Sequence, residues 1–431
     1  MSLRLTSAGL LFPLLLGACA SNGPVESRPS PTLPPVSGSA GQSARPISPP
    51  VAPGDTPRVL PSVTAVPPPA QPPSPPPAPP RPPAPAYPDE REGRAVVASY
   101  LPPAVKDKEG WATDIFSAFA ALRIAPTPDN ICAAVAVIEQ ESTFQADPQV
   151  PGLPGIVRKE IDARRERLHL PKLLVEAALL KGSPDGRSYS ARIDALRTEK
   201  EMNRLFEDMI SELPHGKDLL GGYNPVRTGG PMQVSVAFAE DHVKEKGYPY
   251  PRKGSIRDEV FSRRGGLYFG IAILLDYPAP YTQPLYRFAD FNAGRYSSRN
   301  AAFQQAVARL SGQPLALDGD LLRYTDGNPS SEPSATLQAL ERLAPRLGFS
   351  RAELLRDLRL EKVSRFAQTP LYGRVFALAD ADAGGRLPRE TLPRIDLKSP
   401  KIQRKLTTAW FAERVDARHR TCLGRNRAAT P

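Results

Sequence analysis

Ile138-Glu139-Gln140-Glu141-Ser142-Thr143-Phe144 closes a run of small and apolar residues that begins after Thr127-Pro128-Asp129. Threonine as a cap with proline at the first helical position marks a helix start. Asp147-Pro148 marks the stop, so the pattern predicts a helix from Asn130 to about Phe144. On a 3.6-residue period Glu141 falls one turn beyond Val137 and Ile138, below Ala134. Its carboxyl should lie beside an apolar stripe and at the helix C-terminus, where the macrodipole disfavours negative charge. Desolvation and dipole then act together in favour of the protonated acid, the form a glycosidase-type general acid needs. Glu139 shares the helix but points about 160° away, so the two cannot line one pocket. Taken alone, a helical glutamate is usually a solvated surface residue.

The rest of the folded chain also reads as helix. Met202, Leu205, Phe206, Met209, Ile210 and Leu213 recur at spacings of three and four, an amphipathic pattern. Further helices are expected over Ile256 to Asp276, Leu285 to Phe291, and from a Ser297 cap to about Leu310. Ser350-x-x-Glu353 is a capping box, and Ser399-Pro400 opens a last helix carrying Ile402, Leu406, Trp410, Phe411 and Val415. Strand alternation is nearly absent. The class is mainly α, with at most a small hairpin around Gly229.

The N-terminus points to export. Arg4 precedes an apolar stretch, Leu10 to Leu16, that is too short to span a bilayer. It runs into Leu16-Gly17-Ala18-Cys19, which resembles a bacterial lipobox. Residues 1–18 are then a signal peptide and Cys19 a lipidation site; an ordinary secretory leader is the alternative. Ala20 and Ser21, with no Asp after the cysteine, resemble outer-membrane lipoproteins of Gram-negative bacteria, which implies a lipid-anchored, periplasm-facing protein. Residues 19–93, dominated by Pro, Ala, Ser and Gly up to Pro88, read as an extended spacer.

About 340 residues from Arg94 onward can bury a substantial core. The net charge of +11 is spread over many faces without a basic stripe of interleaved aromatics, so nucleic acid is not an expected partner. After Cys19 two cysteines remain, Cys132 and Cys422, either one disulfide or two buried thiols. Neither has metal-ligand spacing. Asp380-Ala381-Asp382-Ala383-Gly384-Gly385 resembles half a calcium loop, but Thr391 stands where a bidentate Glu belongs, which favours a solvated turn. No metal or cofactor is expected.

Downstream of Glu141 stand Gly230-Pro231-Met232-Gln233 and Phe291-Asn292-Ala293-Gly294, then Thr369-Pro370-Leu371-Tyr372. Together with Glu141-Ser142-Thr143-Phe144 these resemble the four motifs of lysozyme-like lytic transglycosylases of the soluble type. Pro231 replaces a common Leu, Phe291 a Tyr, and Gln368 stands where Glu often precedes. The resemblance implies a lysozyme-like domain over residues 94–376 with a helical insertion at about 150–222 and a helical extension at 377–431. The gap from Glu141 to Gly230 is much longer than in that family. It further implies that Glu141 protonates the bond between N-acetylmuramic acid and N-acetylglucosamine, then removes the C6 hydroxyl proton to close a 1,6-anhydro ring. Ser142, Met232, Gln233, Phe291, Asn292 and Tyr372 would hold the strand. Asp290 would be the second carboxylate if water attacked instead. A non-catalytic peptidoglycan-binding or scaffold lipoprotein is the alternative. The chain as a whole resembles an uncharacterised bacterial lipoprotein family of the DUF1615 type.

Overall fold

Thr127 does cap a helix: its hydroxyl accepts the Asn130 N–H at 3.2 Å, and the helix runs Pro128–Glu141. In this computed structural model, which describes residues 89–325, 328–397 and 406–427, it is one of 17 α-helices. The only strands among the described residues form three two-stranded ribbons, so the fold is mainly α. The expected leader, Cys19, most of the spacer and Ser399-Pro400 lie outside the described residues.

The first helix among the described residues is Glu90–Tyr100, capped by Asp89. Gly93 lets it lie flat on helix Lys108–Leu122, since a Cβ there would stand 2.1 Å from the Phe116 ring. Helix Glu90–Tyr100 packs on Pro128–Glu141, in which every residue from Ile131 to Ile138 is buried, and all three helices contribute to the first hydrophobic cluster. A helix apolar on all sides belongs at the centre of a core.

Its other neighbours come from far along the chain: helix Arg263–Leu275 and the closing helix Thr408–Arg427. Phe411, Ala412, Val415 and Cys422 of the closing helix are buried in this first cluster, and Cys422 is disulfide-bonded to Cys132. Glu139 is taken up on that side, with its Oε2 3.2 Å from Arg425 Nη2. The boundary expected at 376/377 falls inside helix Pro370–Ala383. The closing helix is therefore part of the central core, because it supplies the apolar face that the Glu141 helix needs.

Residues 153–226 gather a second cluster of their own around Phe206, Ile193 and Val157, with Phe261. Residues 302–379 gather a third around Phe303, Phe366 and Leu340. Three local expectations change. Leu406, expected inside the last helix, pairs with Leu397 in a ribbon, and that helix starts at Thr408. The helix expected over Ile256 to Asp276 is two, Ile256–Val260 and Arg263–Leu275, because Ser262 caps the second by accepting the Gly265 N–H. Ser297 is not a cap. Helix Ser297–Ser311 is preceded by Tyr296 at φ 68°, and its free N–H groups are met by a remote carboxylate, Asp290. That side chain accepts from Ser298 N and Tyr296 N, both at 2.7 Å.

Candidate functional site

The Glu141 helix ends abruptly. Ser142 is buried, and both its N–H and its hydroxyl donate to the Ile138 carbonyl at 3.0 Å. Thr143 and Phe144 then both adopt left-handed backbone, φ 51° and 58°, a conformation costly for non-glycine residues and most of all for β-branched ones. Phe144 holds the turn by packing edge-on to Trp111, with ring centroids 5.2 Å apart. The chain is thereby turned sharply away, and Glu141 is left half-buried at the lip of the helix.

The same pocket is reached by the ribbon Thr228–Gly229/Val234–Ser235, paired Thr228↔Ser235 and Gly229↔Val234. Gly230 at its turn has φ +73°, and a Cβ there would sit 2.1 Å from the Val260 carbonyl oxygen. Only glycine permits that approach. Met232 points inward and is fully buried against Gly270, so it is core. Gln233, again left-handed at φ 50°, has its amide 3.3 Å from the Gly230 carbonyl and faces the same space as Glu141.

That space is a pocket of about 580 Å³. Glu141 and Gln233 form one side. The other side comes from residues 148–159 and from Glu199, with Gln149, Lys159 and Glu199 as its polar groups and Pro148, Val150, Pro151 and Ile156 as apolar surface. Gly152 and Gly155 also line it, and a Cβ on either would meet nothing within 4 Å. Thr198 holds the Glu199 helix to the start of the 148–159 segment: its hydroxyl donates to Asp147 Oδ2 at 3.0 Å, and its backbone bridges to Gln149. Burial pushes the Asp147 carboxyl up, against the pull of that hydrogen bond.

The remaining motif residues lie elsewhere. Asn292 accepts the Thr408 hydroxyl at 2.8 Å, and Phe291 stacks on Phe411 with centroids 6.5 Å apart, so both serve the seat of the closing helix. Tyr372 is 8 % exposed in the third cluster, stacked on Phe303, and burial pushes its phenol up to about 12. Asp290 is fully buried and accepts the Tyr281 and Tyr277 hydroxyls besides its two amides; burial pushes its carboxyl up to about 6. None of these four residues is among those lining the pocket. Asp380, of the calcium-like stretch, is bound by Arg389 at 2.6 Å. Among the described residues no cluster of metal-ligating side chains occurs.

Lys159, Gln149 and Glu199 are the pocket residues that motif reading missed. Thr198-x-x-Glu201 is legible as a capping box and would have placed Glu199 in a first helical turn, but no local signal places it in one pocket with Glu141.

A family model described as protein of unknown function (DUF1615) matches residues 104–425. The chain belongs to that family. The match runs from before the Glu141 helix into the closing helix and spans both pocket walls. An uncharacterized protein, YaiW, of Escherichia coli strain K12 is 54% identical over 329 residues, 76% of this chain and 89% of its own length. No solved structure matches the chain. Among the described residues no helix is long and apolar enough to cross a membrane.

Proposed function

We propose that this DUF1615 protein is an outer-membrane lipoprotein, anchored through Cys19, whose lysozyme-like cleft cleaves the bond between N-acetylmuramic acid and N-acetylglucosamine in peptidoglycan. The observation that carries the reading is the pocket itself. The glutamate of the Glu-Ser-x-Phe segment and the glutamine of the Gly-x-Met-Gln segment line one open cavity with a neutral amide, apolar surface and room for a sugar. A carboxyl group at the C-terminal end of a helix, partly shielded from water, is suited to giving a proton to a leaving oxygen. Gln233 and Gln149 can hold hydroxyl or N-acetyl groups, and the proline-rich edge offers a face for a pyranose ring. In the one-carboxylate route implied by the motifs, Glu141 also performs the second half of the reaction and the product ends in a 1,6-anhydro ring.

Purified full-length protein incubated with sacculi tests the reading. Soluble muropeptides should be released by the wild type and by Glu139→Gln, and lost with Glu141→Gln. A second reading, recognition of strands without turnover, is favoured by the positions of Asn292 and Tyr372 away from the pocket. It predicts that the protein sediments with sacculi while releasing nothing.

A further inference from the structure

We infer that Glu199 is the second carboxylate of this site and takes a proton from an attacking water, so that the bond is hydrolysed instead of closing a 1,6-anhydro ring. The inference rests on reading Glu141 as the acid and changes only the step that follows.

Glu199 is 6 % exposed yet lines the same 580 Å³ pocket as Glu141. The two reach it from different elements: Glu141 is the last residue of helix Pro128–Glu141, and Glu199 the first of helix Glu199–Ser211. They therefore stand at opposite poles of two helix dipoles. The N-terminal pole favours a carboxylate, and the C-terminal pole disfavours one. The hydrolysis inferred here divides the work between one carboxyl group that gives a proton and one carboxylate that takes one, as acid–base hydrolysis requires.

The capping box of that helix is made by Thr198 and Glu201. Thr198 accepts the Glu201 N–H at 3.2 Å, and the Glu201 carboxylate accepts the Thr198 N–H at 3.3 Å. The Thr198 bond to Asp147 ties the first turn of Glu199's helix to the loop that leaves Glu141, so the two carboxyl groups share one frame. Asp290, the other acidic residue of the motifs, is fully enclosed and committed to a helix start. Gly152 and Gly155 line the same pocket, and a Cβ on either would meet nothing within 4 Å, which leaves room for a water molecule.

The step balances as follows. Glu141 gives its proton to the glucosamine O4 as the C1–O4 bond breaks. The water oxygen bonds to C1 of the muramic acid residue, and its proton passes to the Glu199 carboxylate. Transfer of that proton through solvent back to Glu141 restores both groups, and one water is consumed per bond. The new end is a reducing sugar.

Digestion of sacculi in ¹⁸O-water by full-length protein tests this. The wild type should give reducing muramic acid ends carrying one ¹⁸O. Glu199→Gln should slow their release by about 10²- to 10⁴-fold, the usual worth of a general base. Glu199→Ala should regain rate with added formate, and a purely structural side chain would not respond in that way. Glu199→Asp keeps a carboxylate and covers the case in which the other variants unfold. Anhydro ends without ¹⁸O, released in a Glu141-dependent manner at the same rate by Glu199→Gln, overturn this inference and leave the proposed function standing. No cleavage by the wild type overturns both.

Discussion

Reduction of the Cys132–Cys422 disulfide should lower stability by several kcal/mol, and the size follows from where the bond sits. The two cysteines are 290 positions apart. Cross-linking a chain removes loop-closure entropy from the unfolded state by roughly 2.1 + 1.5R ln n cal/mol/K. For a loop of that length this is about 19 cal/mol/K, or about 5–6 kcal/mol at 25 °C. Native disulfides deliver about 2–5 kcal/mol in small domains, so an observed loss of about 3–5 kcal/mol is expected. Both sulfurs are buried and remain as thiols after reduction, so no cavity is created and oxidised and reduced forms of one sequence compare cleanly. The assay is urea denaturation of protein refolded with and without reductant, followed by far-UV circular dichroism and tryptophan fluorescence. The reduced form should unfold at clearly lower urea, with an equal or larger slope because its unfolded chain expands further. If the two midpoints coincide, the closing helix is not held to the Glu141 helix by this bond and the reasoning fails.

Two other outcomes follow from single residues. Glu361 is fully buried, accepts the Leu321 N–H, and leaves its Oε1 without a hydrogen-bond partner; burial pushes its carboxyl from 4.5 up to about 7. Between those values the native state holds a proton that the unfolded chain has released, so stability falls as pH rises through that window, by roughly 3 kcal/mol in full. Asp290, raised from 3.8 to about 6, acts with the same sign. Wild-type protein should therefore melt higher at pH 5 than at pH 7.5, and Glu361→Gln should flatten that difference; an unchanged slope in the variant refutes the assignment. At the pocket, Gly155→Trp adds a large ring where a Cβ meets nothing. Cleavage or binding of strands should drop at least about tenfold while the unfolding midpoint moves by no more than about 0.5 kcal/mol, the usual span for a surface substitution. Full activity in that variant would show that substrate lies elsewhere.

What could be read from the sequence divides along the range of the interactions. The Pro128–Glu141 helix was legible because Thr127 and Pro128 specify its start within one turn, and its phase placed Glu139 and Glu141 on different sides. The break at Ser262 was missed because apolar residues stand on both sides of it, Val260 and Phe261 before and Leu267 onward after; hydrophobic patterning outweighed a serine cap. The start at Ser297 was misassigned because its cap, Asp290, is supplied by the preceding helix. Motif spacing found Glu141 and Gln233, which the pocket unites. It grouped with them Asn292 and Tyr372, whose packing partners, Thr408 and Phe303, were invisible to it. Glu199 lay hidden in a stretch read as an intruder, although that stretch makes half of the wall.

That second wall has its own hydrophobic cluster, from Leu153 to Val226 with Phe261 from beyond the stretch, whereas the helix that carries Glu141 packs in the central one. On the proposed function, chemistry and selectivity would be lodged in separately packed clusters. Substitutions in residues 150–199 would then change the width, charge and polarity of the pocket without loosening the helix that presents Glu141. Such a layout would lend itself to retuning: a library confined to that wall would vary what enters the pocket while Glu141 stays where it is.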